Sequence, residues 1–101
     1  MADFRGEPPR VIEREMTATP EEFERGLRSA FPAAVEGGPQ RFCITHRGTV
    51  MEVEALPQPP RIIARLALPV LAVTIRFPTA GADERAATLA WLDLATHRGG
   101  G

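Results

Sequence analysis

Residues 41–54, RFCITHRGTVMEVE, constrain the fold of this chain more than any other stretch. If Arg47-Gly48 forms a tip, Arg41 faces Glu54, Cys43 faces Glu52 and Thr45 faces Val50. The other side pairs Phe42 with Val53 and Ile44 with Met51. One face is then apolar and the other carries an ion pair, as a half-buried antiparallel sheet requires. A slip of one residue would set Phe42 against Glu52 and destroy that separation. A loop of two or four residues keeps the register. The segment therefore predicts a β-hairpin whose apolar face needs a covering layer.

Two helices are predicted to supply that layer. TPEE offers Thr19 as N-cap, Pro20 at the first helical position and Glu22 at the third, which is a capping box. Phe23, Leu27, Ala30 and Phe31 follow at helical spacing, and Pro32 stops the helix. A second helix is predicted over roughly 82–97, with Ala86, Leu89, Ala90, Trp91 and Leu92 available to the core and Gly99 in the left-handed position beyond its end. Trp91 is read as core; an exposed Trp would mark a partner surface instead.

VIEREM (Val11–Met16) alternates as a strand, with Ile12, Arg14 and Met16 on one side and Val11, Glu13 and Glu15 on the other. EGGPQ reads as a flexible connection and LPQPP as a rigid turn. RIIARLAL and VLAVTIRF are β-rich and separated by Pro69, which predicts strands over 61–67 and 70–77. The resulting order is β-α-β-β-β-β-α. This predicts an α+β fold, an antiparallel sheet with two helices packed on one face. Residues 1–9 are assigned to a flexible tail, 10–98 to one domain and 99–101 to a glycine tail. The element order resembles one half of the TATA-binding-protein fold, a likeness of topology, which does not by itself give function.

Composition narrows the function classes. All twelve basic residues are arginine, and the net charge is −1. Residues 1–54 hold ten acids and seven arginines, and 55–101 three acids and five arginines. No basic run is present, so a nucleic-acid partner is not expected. One cysteine allows no internal disulfide, which points to a reducing cytoplasmic setting. Ile62 to Ile75 is interrupted by Arg65 and Pro69 and is too short to cross a membrane. No membrane partner is expected.

Candidate chemistry is sparse. Cys43-x-x-His46 has the residue types of a metal site, but an odd spacing on a strand sends the two side chains to opposite faces. The same geometry opposes a Cys–His nucleophilic pair. No metal, cofactor or catalytic residue is assigned. Glu52 and Glu54 share a face with Arg41 and Cys43, and Glu13 and Glu15 extend it from another strand. Crowded carboxylates supply an acid or base for catalysis; the competing reading is a solvated face balanced by Arg14, Arg41 and Arg65.

THRG occurs twice, as Thr45–Gly48 and Thr96–Gly99, and contains both histidines. The two copies are read as independent chain terminators, one at a hairpin and one at a helix end. The final Gly100-Gly101 resembles the ending of ubiquitin-like proteins and small sulfur carriers. That resemblance implies a carrier or modifier activated at its terminal carboxylate. The favoured expectation is a non-enzymatic binding or assembly module for a protein partner or a second copy of itself. Its contact face would comprise Arg41, Cys43, Thr45, Glu52 and Glu54, followed by Arg47 and the end formed by His97, Arg98, Gly99, Gly100 and Gly101.

Overall fold

The computed structural model describes the backbone of residues 10–100 and the side chains of residues 10–94. The chain forms β1 (Val11–Met16), α1 (Pro20–Ala30), β2 (Val35–Gly37), β3 (Arg41–His46), β4 (Thr49–Ile63), β5 (Leu66–Arg76) and α2 (Ala82–Gly100). One antiparallel five-stranded sheet runs in the order β1-β5-β4-β3-β2. This is the expected α+β class.

The β3–β4 hairpin has the register deduced from its alternation, from Arg41 opposite Glu54 to Thr45 opposite Val50. Its two-residue turn places Arg47 at φ 51° and Gly48 at φ 81°. Positive φ at both central residues gives the backbone twist that matches the flanking strands. Phe42, Ile44, Met51 and Val53 are consequently buried against Phe23, Leu27, Phe31 and Leu92. The capping box is present: the Thr19 hydroxyl accepts from Glu22 N–H at 3.1 Å, and Glu22 accepts from Thr19 N–H at 2.9 Å.

EGGPQ is more than a connection, because Val35–Gly37 pairs with β3 as a short edge strand. Its two outward carbonyls are taken by Arg28, whose guanidinium donates to Val35 O at 3.2 Å and Gly37 O at 3.0 Å. A helix side chain thus closes one sheet edge. Three residues carry too little pattern to show this in sequence; their pairing is made by backbone groups.

LPQPP is not a turn. It lies inside β4, and the chain reverses at Ala64-Arg65, between paired Ile63 and Leu66. The expected strands 61–67 and 70–77 are therefore replaced by 49–63 and 66–76. The prolines explain how this is tolerated. Ala55 N–H donates to Gln40 O at 2.8 Å, toward the β3 side. Alternation directs Pro57 and Pro59 to that same side, where β3 has ended and no donor is needed. Between the pairs Gln58–Val70 and Arg61–Leu68, Pro59 and Pro60 oppose Pro69 alone. Two residues against one is a β-bulge, so the missing donors coincide with a break in the ladder. The turn itself lacks the usual signal, since Ala64 takes φ 54° where glycine is the common choice.

α2 is rotated relative to expectation. Arg85, Thr88 and Leu92 are buried and Leu89 is partly buried, whereas Ala86, Ala90 and Trp91 are exposed. Apolar residues, mostly alanine, lie all around this helix, so its pattern does not select a face. Arg85 can sit inward because its guanidinium donates to Ala80 O at 2.8 Å. The helix also runs to Gly100, so Gly99 lies within it rather than closing it; glycine permits the left-handed conformation without imposing it. The expected tail at 1–9, the side chains of His97 and Arg98, and Gly101 lie outside the described residues.

Phe31 is 1% exposed where α1 ends against the hairpin. Phe31→Ala is expected to cost about 3–5 kcal/mol, and Thr19→Ala about 1 kcal/mol, in urea unfolding followed by circular dichroism.

Candidate functional site

The face of the sheet away from the helices carries the residues singled out from sequence. Cross-strand pairing lines up Val11, Arg76, Glu52, Cys43 and Glu36 in one row, and Glu13, Thr74, Glu54 and Arg41 in the next. Arg41, Cys43, Glu52 and Glu54 line an open depression of about 730 Å³ together with Glu36, Thr74 and Arg76. Thr45 shares the face but lies outside the depression. Glu36, Thr74 and Arg76 come from strands whose register cannot be read from the hairpin alone.

Electrostatics on this face are those of a solvated surface. Arg41 Nε donates to Glu54 at 3.1 Å, with the arginine side chain 85% exposed. Such a pair contributes at most about 1 kcal/mol. Arg14 does not balance this face, contrary to expectation: it lies toward the helices and pairs with Asp93 of α2. Arg65 is not on it either, being at the β4–β5 turn, and Arg61 instead pairs with Glu15. Cys43 is exposed here, while His46 sits under the helices, so the two do not converge.

His46 belongs to an aromatic group that sequence reading missed. Its ring meets Phe31 edge-on at 5.0 Å and stacks on Trp91 at 6.1 Å between centroids. The indole N–H of Trp91 donates to Ala30 O at 2.5 Å. Trp91 nevertheless stays 47% exposed, outside the core assigned to it. It joins α1 and α2 at the end of the molecule where the β3–β4 turn lies. No periodicity could have signalled this contact, since it links residues far apart in sequence.

A second feature lies at the opposite end. Beyond Leu56 and Val70 the β4–β5 ribbon runs on with neither β3 nor β1 beside it. Ile62 and Leu66 are each 64% exposed and Ile63 is 51% exposed. The available signal was the apolar character of RIIARLAL, from which a strand over 61–67 is predicted without any indication of what covers it. Among the described residues no helix is long and apolar enough to cross a membrane.

Trp91→Phe keeps an aromatic ring, smaller than the indole, and removes the N–H donor to Ala30 O. It is expected to lower stability by about 1 kcal/mol, measured by urea unfolding, whereas Trp91→Ala should cost more by also stripping His46 of its stacking partner.

No family model, curated protein or solved structure matches this chain, so its own geometry is the ground for a functional reading.

Proposed function

We propose that this chain is a cytoplasmic binding or assembly module, without catalytic activity, that engages a protein partner through the projecting β4–β5 ribbon. The observation that carries this reading is the exposure of Ile62, Ile63 and Leu66 on a ribbon that leaves the body of the sheet. A two-stranded ribbon alone in water is marginally stable. Exposed apolar side chains grouped on such an element suit a surface that is covered in the working state.

The polar depression supports the same class. It is wide and open, its carboxylates are interspersed with Arg41 and Arg76, and Glu54 is already engaged by Arg41. These are features of a rim or a polar contact rather than of a water-excluding catalytic cleft. One exposed cysteine without a disulfide partner suits a reducing compartment.

A photo-crosslinking residue placed at Ile63 in the native host is expected to yield a discrete protein adduct, and the same residue at Arg47 none. Absence of any adduct at Ile63, with the protein folded, would remove this reading.

A further inference from the structure

Resting on the module reading, we propose that the partner of the ribbon is a second copy of this chain, bound about a twofold axis with the two ribbons antiparallel and face to face. The bulge at Pro59-Pro60 decides which side chains are available. Before it, Glu52, Glu54 and Leu56 occupy the open face of the sheet. The extra residue shifts the alternation by one, so that Arg61 and Ile63 take that face and Ile62 takes the other. The ion pair between Arg61 and Glu15, whose neighbours across the sheet are Ala72 and Leu56, agrees with this assignment. Leu66 and Leu68 pair with Ile63 and Arg61 and therefore share the open face. The result is an apolar strip of Leu56, Ile63, Leu66 and Leu68.

Charge selects the occupant. From Ala55 to Ala82 there is no acidic residue, and the ribbon's charges are Arg61 and Arg65. Arg61 is held by Glu15, while Arg65 at the tip has no ion pair among the described residues. Glu13 likewise has none among the described residues, and it lies on the same face as Glu15, at the base of the ribbon. Base and tip are separated by the seven steps from Leu56 to Ile63, about 23 Å at the usual rise per residue. Two ribbons laid antiparallel with full overlap bring each Arg65 over the Glu13 and Glu15 of the other copy. Each apolar strip then covers its own equivalent, which is the self-complementarity a twofold interface requires.

Strand addition is the competing geometry, and the prolines oppose it. Pro57 and Pro59 remove outward donors from the β4 edge of the ribbon and Pro69 removes one from its β5 edge, which leaves Ile62 and Ala67 as the outward donors along the ribbon and favours its faces as the route of association. A ribbon two strands wide buries less than the roughly 800 Å² per partner of a standard interface. The dimer is therefore expected in the micromolar range.

Sedimentation equilibrium from micromolar to millimolar protein tests this. The expected result is a monomer–dimer equilibrium. Ile63→Asp should weaken it at least tenfold, while Ile62→Asp, on the other face, should leave it within about threefold. Arg65→Glu should also weaken it, and adding Glu13→Arg to Arg65→Glu should restore it. A monomer at every concentration, equal effects of the two isoleucine variants, or failure of the charge swap would overturn the dimer. If the protein is monomeric but the Ile63 crosslink captures a different protein, the module reading stands and the second copy falls. If neither dimer nor adduct is found, both fall. Binding of the monomer to phosphatidylserine vesicles that is lost in Ile63→Asp would assign the strip to a lipid surface and also overturn the dimer. Circular dichroism of each variant separates these outcomes from unfolding.

Discussion

The pairing of β4 with β5 is the interaction on which the rest of the structure depends. Along its inner half, Val53 opposite Ile75 and Ala55 opposite Val73 form the floor on which the helices rest. Along its outer half the same two strands continue without neighbours and form the ribbon. Between the halves lies the bulge, where Pro59 and Pro60 face Pro69. A ladder interrupted there by one extra residue changes which side chains face which way. The covered and uncovered parts of the molecule are thus two phases of one strand pair.

This arrangement separates the residues that hold the fold together from those proposed to meet a partner. Phe31, Leu27, Ile44, Met51 and Leu71 are almost wholly buried between helices and sheet, and Arg28 and the capping box close local ends that water or another chain could enter. The ribbon shares none of those contacts. Substitutions at its tip are therefore expected to act on association with little effect on the core, since distant sites with no common partners behave nearly independently.

The hairpin, α1 and β1 were legible because each carries a local signal that tertiary contacts reinforce: strict alternation across Arg41–Glu54, a capping box at Thr19, alternation across Val11–Met16. α2 was legible as a helix but not in its orientation, because alanine on several sides leaves Trp91 and Arg85 interchangeable until the neighbouring helix is in place. The LPQPP segment misled for a definite reason. Proline is read as a break when a strand is assumed to have neighbours on both sides, and here one side is empty. The polar face was identified in part: Arg41, Cys43, Glu52 and Glu54 follow from hairpin register, while Glu36, Thr74 and Arg76 reach it through pairings between distant segments.

By itself the sequence determined the periodicities, and with them the α+β class, the hairpin register and the division of β3 and β4 into apolar and polar faces. These follow from bonds and spacings within a few residues of one another. Only the tertiary structure decided that β3 ends before Pro57, that the chain turns at Ala64 rather than at a proline, and that Ile62, Ile63 and Leu66 lie outside the core. Those outcomes depend on where other strands stop. An apolar side chain is buried only where a second layer exists to cover it, and the extent of that layer is a property of the whole fold.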